Sequence, residues 1–126
     1  SHGEQEIAMS NKVLGDRGES CAARYLGAQG YRILAQKYRT KTGEIDLIAK
    51  DHDTLVFVEV KTRRSVRCGL PAEAVNYRKQ RRIIQTAMLY LREKQMDQTP
   101  CRFDIVEVYA AGSEWRIHHL KGAFEV

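Results

Sequence analysis

The nine residues "LVFVEVKTR", from Leu55 to Arg63, decide the fold of this chain. Alternate residues of a strand share a face, and here both faces are apolar: Leu55 and Phe57 on one, Val56, Val58 and Val60 on the other. Such a strand is typical of the centre of a sheet that is covered on both sides. Glu59 and Lys61 then place opposite charges at the end of the apolar run, where they are costly unless something uses them.

The residues before and around this strand predict a helix followed by three strands. Apolar residues at helical spacing predict the helix from Lys12 to Gln29, and the first strand begins at Tyr31. "GEIDLIAK", residues 43–50, and "DTLVFVEVKTR", residues 53–63, predict an antiparallel hairpin joined at "DHD".

The second half of the chain predicts one more helix and two more strands. The helix is expected from Asn76 to Lys94, with a buried stripe made of Ile83, Ile84, Ala87, Met88 and Leu91. "CRFDIVEVYA", residues 101–110, and "WRIHHL", residues 115–120, predict strands on either side of a turn at Gly112. The element order predicts an α/β fold: a mixed central sheet of about five strands with helices on both faces.

The length of 126 residues predicts one domain, which we place at residues 12–126. A domain of this size buries a core without needing disulfides or a structural metal. Residues 1–11 are expected to be a flexible N-terminal segment, partly of cloning origin, with Met9 as a candidate native start.

The composition indicates a basic protein outside the membrane. No apolar run approaches a membrane span, and no secretory signal is recognisable, so no membrane partner is expected. The three cysteines are scattered, without zinc-ligand spacing, which favours reduced thiols and a cytoplasmic location. The net charge of +5 is compatible with a nucleic-acid partner and, equally, with a merely solvated basic surface.

Asp46 and Glu59 are the strongest candidates for a functional pair. They lie on the two strands of the predicted hairpin, and neighbouring strands are only about 5 Å apart, so the two carboxylates can share one ion. Oxygen ligands favour Mg²⁺, with Mn²⁺ as a substitute, over zinc. Lys61 leaves the same face as Glu59 and can stabilise negative charge on a phosphate or hold the attacking water. This set suits phosphodiester hydrolysis.

Plainer interpretations exist for each polar residue on these strands. An isolated Glu-x-Lys is usually a salt bridge at a strand end, but Asp46 opposite it and the apolar run before it favour a functional site. Asp104 falls on an apolar strand, where a structural hydrogen bond is favoured over support of the site. His118 and His119 point to opposite faces of one strand and are interpreted as structural or surface residues.

A basic cluster begins the second predicted helix. The stretch "YRKQRR" and the two arginines that follow Lys61 supply candidate nucleic-acid-binding residues: Arg63, Arg64, Arg78, Lys79, Gln80, Arg81 and Arg82. A helix N-terminus adds its own positive end to such a cluster, which suits a phosphate backbone. A solvated helix face explains the "YRKQRR" charge run equally well.

Several segments together carry a resemblance to a known family. An Asp on one strand followed by Glu-x-Lys on the next, in "GEIDLIA" and "VFVEVKTR", resembles the core of the PD-(D/E)xK nuclease superfamily. With "GDRGESCAARYL", "AVNYRKQRRI", "CRFDIVEV" and "GAF" in this order, the chain resembles the YraN-like family of bacterial proteins, which is similar to archaeal Holliday-junction resolvases. Ile45 stands where the superfamily name has Pro, and "GAF" replaces an expected Asn-Ala-Phe.

The resemblance implies a restriction-endonuclease-like core and a set of site residues. Asp46, Glu59 and the Val60 carbonyl would bind the metal, Lys61 would be the catalytic lysine, and Glu19 would bring a further acid from the first helix. Independently, Glu19 borders the apolar side of that helix, so its carboxylate needs a partner.

Two functions are therefore expected from different classes. The first is a Mg²⁺- or Mn²⁺-dependent endonuclease that hydrolyses DNA phosphodiester bonds, on branched or structured DNA in repair or recombination. The alternative is a non-catalytic nucleic-acid-binding or partner-recruiting module on a nuclease fold. Branched substrates would suit a homodimer that presents two sites.

Overall fold

The computed structural model describes residues 10–64 and 75–126. Their elements are α1 (Asn11–Ala28), β1 (Arg32–Arg39), β2 (Glu44–Asp51), β3 (Thr54–Arg63), α2 (Tyr77–Glu93), β4 (Cys101–Ala111) and β5 (Glu114–Phe124). This order of elements confirms the prediction. Most of the predicted N-terminal segment lies outside the described residues, but Ser10 caps α1 by accepting a hydrogen bond from Val13 N at 3.1 Å. Neither described helix is long and apolar enough to cross a membrane.

The described strands form one five-stranded sheet in the order β1-β2-β3-β4-β5. Neighbouring strands are antiparallel except for β3 and β4, which pair in parallel. A parallel pair needs a crossover connection, and α2 lies within that crossover. The central position of β3 and the mixed sheet are both as predicted.

The two helices cover opposite faces of the sheet. Ala22 and Leu26 of α1 share a buried cluster with Val56 and Val58, whereas α2 packs over Phe57 and its neighbours. Phe57, Phe103 and Phe124 stack in series on the α2 face, with ring centroids 5.5 and 5.1 Å apart. The even and odd residues of β3 therefore support separate cores, which is why this strand is apolar on both faces.

The buried stripe of α2 differs from the prediction at one residue. Met88 was predicted to be buried but is 36% exposed, and Tyr90 is buried instead. Ile83, Ala87, Tyr90 and Leu91 place the centre of the stripe on the Ala87 side, and Met88 lies about 100° around the helix from Ala87. The spacing of apolar residues alone therefore placed Met88 in the buried stripe, although Met88 is exposed.

The last strand is also longer than the prediction. β5 continues from Glu114 to Phe124, beyond the predicted end at residue 120, because Phe124 is buried against Phe103. Gly122 allows the strand to continue past an irregular point, since its φ of 60° is a backbone conformation that favours glycine.

Gly18 sets how closely α1 approaches the sheet. A Cβ atom at this position would lie 2.1 Å from Thr62 Oγ1 and 2.7 Å from Thr62 Cγ2, inside any allowed contact. A glycine within a helix normally weakens it, so the close approach to β3 is what this residue provides. The next residue is Glu19, and the approach therefore brings that carboxylate to the end of β3.

We predict that Gly18→Ala destabilises the protein by about 1–3 kcal/mol through overpacking against Thr62. Gly15→Ala is the matched control, because nothing lies within 4 Å of its added Cβ, and it should stabilise α1 by about 0.5–1 kcal/mol. Urea unfolding of both variants measures the difference. Equal free energies of unfolding for the two variants would contradict the close approach.

Candidate functional site

Asp46 and Glu59 lie where the β2–β3 ladder stops. The last paired residues are Leu47 and Val58, and the next step of the ladder is replaced by a side chain: Val60 N–H donates to Asp46 Oδ2 at 2.7 Å. This bond satisfies a backbone donor at the end of the sheet. It also holds the Asp46 carboxylate next to Glu59 on the neighbouring strand, as the hairpin predicted.

The environment of Asp46 disfavours its charged form. Burial and the nearby Glu59 carboxylate raise the pKa of Asp46 from an ordinary 3.8 to about 7. The hydrogen bond from Val60 opposes this shift, whereas the more distant charges of Glu19 and Glu44 add to it. Burial is the largest cause of this shift, and repulsion from Glu59 is the next.

Glu59 is buried and binds two lysines. Its Oε1 lies 2.7 Å from Lys79 Nζ, on the first turn of α2, and 3.9 Å from Lys61 Nζ. Burial and the neighbouring Lys79 cation lower the pKa of Lys61. Burial also disfavours the charged form of Lys79. The bond to Glu59 outweighs this effect, so the pKa of Lys79 is raised. Lys79 is thus the firmly charged partner, and Lys61 is the lysine that gives up a proton more readily.

Glu19 reaches the site from α1 and is incompletely paired. Its Oε2 accepts from Lys37 Nζ at 3.3 Å, whereas Oε1 is buried and has no hydrogen-bond partner among the residues that the structure describes. Burial raises the pKa of Glu19 despite the bond to Lys37. A buried carboxylate oxygen without a donor is costly, so this side chain has capacity for a further cation or donor.

Two clefts meet at Asp46. One, of about 460 Å³, lies on the α1 side and is lined by Glu19, Lys37 and Thr62 as well as Asp46. The other, of about 510 Å³, lies on the α2 side and adds Glu59 and Lys79. Glu44 lines this second cleft too, but its carboxylate is bound to Arg39 Nε at 2.7 Å. Water and ions can therefore reach Asp46 through either cleft, one on each face of the sheet.

The predicted nucleic-acid-binding residues separate into groups. Arg78, Lys79 and Arg82 line the α2-side cleft. Gln80 instead donates to the Val75 carbonyl at 2.7 Å, and Arg81 faces a different hollow, beside Met88.

The two predicted arginines beyond Lys61 lie at the end of β3. Arg63 is the last residue of the strand, and Arg64 donates to Asn11 Oδ1 at 2.8 Å, at the start of α1. The basic residues at the site are therefore contributed by both faces of the sheet.

Sequence reasoning missed Lys37. Its Nζ binds Asp16 Oδ1 at 3.1 Å in addition to Glu19, so it is the main cation on the α1 side of the site. Lys37 has a φ of 52°, and such an irregularity within a strand has no signature in the sequence.

Asp104 belongs to a separate buried network. It is fully buried and binds Arg102 Nε at 2.9 Å, His119 Nε2 at 2.7 Å and Gly122 N at 3.0 Å. These bonds satisfy the carboxylate, as the structural interpretation of Asp104 expects. His119 is buried with it, on the α1 face.

The oxygen ligands at the end of the sheet suit a hard cation, but they are few. Within residues 10–64 and 75–126, no group of three or more acidic, histidine or cysteine side chains is gathered closely enough to hold a metal ion. Asp46 and Glu59 supply two carboxylates, which is the number Mg²⁺ commonly takes from a protein while keeping several waters. The unpartnered Glu19 oxygen and the raised pKa of Asp46 both fit an added positive charge.

The mixed sheet, the helices on both faces and the acids at the sheet end define a nuclease-like α/β protein. Residues 18–108 match the model of the Uncharacterised protein family UPF0102, and the chain belongs to this family, a PD-(D/E)xK nuclease-like group that corresponds to the predicted YraN-like family.

Relatives cover almost the whole chain. A UPF0102 protein of Clostridioides difficile is 46% identical, over 92% of this chain and all of that protein. One from Symbiobacterium thermophilum is 56% identical over 79% and 84%. Among solved structures, "The structure of Pyrococcus Furiosus SfsA in complex with Ca2+" aligns with a TM-score of 0.40 and 15% identity, over 93% of this chain and 66% of that one. A likeness at that TM-score supports no statement about fold or activity.

We predict that Asp46→Asn stabilises the metal-free protein at high pH. The folded protein holds the Asp46 proton up to about pH 7, whereas the unfolded chain releases it near 3.8, so the native state loses stability as pH rises between these values. At pH 8.5 in EDTA the variant should gain on the order of 1–3 kcal/mol, and the gain should shrink toward pH 4. Asp53→Asn, on the exposed β2–β3 turn, is the control. A gain in the free energy of unfolding that does not depend on pH would contradict the raised pKa of Asp46.

Proposed function

We propose that the protein is a Mg²⁺-dependent endonuclease that hydrolyses DNA phosphodiester bonds. The observation that carries this proposal is the Asp46–Glu59 pair: two adjacent carboxylates that line one cleft together, the first with its pKa raised to about 7 and also lining a second cleft. Acids held together against their own repulsion are typical of sites that bind a cation or transfer protons. Membership of a nuclease-like family favours the cation.

Asp46 and Glu59 would hold the ion, with the Val60 carbonyl and waters completing its shell. Mn²⁺ would substitute for Mg²⁺, since both prefer oxygen ligands. When bound, the ion supplies charge to offset the phosphate oxygens and lowers the pKa of a water. Glu19 would act from the α1 side, by binding a water of that shell through its unpartnered oxygen.

Lys61 and Lys79, the two lysines next to Glu59, would have different roles in the reaction. Lys61, whose pKa is lowered, is suited to orient the attacking water and accept or return a proton. Lys79, whose pKa is raised, is suited to hold a phosphate oxygen by its charge. Arg78 and Arg82 line the same cleft and would hold the DNA backbone on that side.

We expect the roles of Asp46 and Lys61 to separate in two measurements. Asp46→Asn should abolish Mn²⁺ binding in calorimetry, because it removes a charged ligand. Lys61→Ala should retain Mn²⁺ binding but lower the cleavage rate by about 10²–10³-fold, as expected for loss of a group that acts in the transition state. Duplex, single-stranded and branched DNA are the substrates, and Asp53→Asn is the control.

Two results of that experiment would overturn the endonuclease. The first is the absence of cleavage by the wild-type protein on every substrate in Mg²⁺ or Mn²⁺. The second is cleavage by Lys61→Ala at the wild-type rate.

The second candidate function is a module that binds nucleic acid, or recruits a partner, without cutting. Two observations favour it: Lys79 already neutralises Glu59 at 2.7 Å, and the described residues hold no three-ligand metal cluster. This function predicts salt-dependent DNA binding that survives Asp46→Ala without any metal. Calorimetry that detects no Mn²⁺ binding, together with such DNA binding, would favour it over the endonuclease.

The substrate class and assembly complete the proposal. Branched DNA of the kind that repair and recombination produce would require two sites at a fixed separation, which a homodimer provides. Light scattering in solution tests the dimer, and competition between branched and linear DNA of equal length tests the preference. A monomer without preference for branches would leave general nuclease activity as the function.

A further inference from the structure

Helix α2 packs over one end of its face of the sheet. Its apolar residues pack over Phe57, Phe103 and Phe124, and its first turn ends at the site, where Lys79 binds Glu59. Beyond that point the strands continue, and the register places Lys61 of β3 beside Glu107 of β4.

Two rows of polar residues cross the strands at the other end of this face. Lys61, Glu107 and His118 form one row, and Arg63, Tyr109 and Arg116 form the next. All six share the α2 face, because the residues that alternate with them, such as Val60, Val108 and Ile117, pack on the α1 side. The row that begins at the proposed catalytic lysine thus continues to the far edge of the sheet.

Glu107 is the buried centre of these rows. It is 1% exposed, its Oε1 lies 2.9 Å from His118 Nδ1, and the Tyr109 hydroxyl also bonds to it. A carboxylate accepts hydrogen bonds, so His118 donates from Nδ1 and its Nε2 is the outer nitrogen. Glu107 therefore fixes the orientation of an imidazole whose side chain is 58% exposed.

The exposed members of the rows are cationic or able to become so. Arg116 and His118 are both exposed on β5, two strands away from Lys61. Two strand spacings are about 10 Å, which is within the reach of neighbouring phosphates along one DNA strand. A backbone with its reacting phosphate at Lys61 can thus place a later phosphate over β5.

We propose that Arg116 and His118 form a phosphate-binding subsite for the DNA strand close to the scissile bond, with Glu107 as the positioning residue. The proposal rests on the proposed function, because Lys61 marks the reacting phosphate. A phosphate favours the protonated imidazole, in which Nε2 donates outward while Nδ1 donates to Glu107. The subsite extends the DNA-binding surface from α2 across the sheet.

The subsite is tested by DNA binding in EDTA, so that the outcome does not depend on metal or cleavage. Fluorescence anisotropy with a labelled duplex, repeated over a series of salt concentrations, gives the affinity and the salt slope. Arg116→Ala should weaken binding several-fold and reduce the slope by about 0.9, the value for one lost phosphate contact. His118→Gln should also weaken DNA binding. Arg32→Ala, which removes an exposed arginine at the opposite end of the sheet, is the matched control.

Glu107→Gln separates a positioning role from simple electrostatics. The change removes a negative charge, so electrostatics alone predicts tighter binding to DNA. A positioning role predicts weaker binding, because His118 and Tyr109 lose their charged acceptor. A thermal melt confirms that this buried variant is folded, and the two exposed variants give the answer independently if it is not.

Three outcomes would overturn the subsite: no DNA binding by the wild-type protein, Arg116→Ala and His118→Gln binding as well as Arg32→Ala, or a folded Glu107→Gln that binds more tightly. Failure of the proposed function has a different signature. A wild-type protein that binds DNA with the expected slope changes but cleaves nothing in Mg²⁺ retains the subsite and loses the endonuclease.

Discussion

The hydrogen bond from Val60 N–H to the Asp46 carboxylate is the contact on which the site depends. It continues the β2–β3 hairpin by one step after the backbone ladder has ended at Leu47 and Val58. The same bond fixes a half-buried carboxylate beside Glu59, and its pKa rises to about 7. Asp46 therefore has a structural role and a proposed chemical role. Its Oδ2 accepts the last hydrogen bond between β2 and β3, and the same carboxylate would bind the metal.

The charges around this bond are arranged in two halves. On the α1 face, Glu19 is held by Lys37, and on the α2 face Glu59 is held by Lys79. Asp46 lies between the two halves, where burial and repulsion from Glu59 raise its pKa. A divalent cation at Asp46 and Glu59 would remove that repulsion and release Lys79 toward the phosphate. Under the proposed function, these lysine pairs would be the resting form of a site that works with metal and DNA.

Much of this architecture follows from the sequence, because it depends on local patterns. The apolar run Leu55–Val60 predicts a central strand, and a short hairpin places Asp46 against Glu59 by register alone. Other features depend on contacts between distant segments. The approach of Gly18 to Thr62 joins residues 44 positions apart, and the ion pairs of Lys37 with Asp16 and Glu19 also join β1 to α1. The sequence leaves His118 as a structural or surface residue, and the β4–β5 register is what places it on buried Glu107.

The central claim is that Asp46 and Glu59 jointly bind one divalent cation. Crystals of the protein soaked in Mn²⁺ test it directly, since the anomalous signal of manganese locates the ion independently of any assumed geometry. We predict one strong peak within coordination distance of both carboxylates and the Val60 carbonyl, with Lys79 displaced from Glu59. A crystal that shows no manganese between these side chains, with Lys79 still bound to Glu59, would contradict the account.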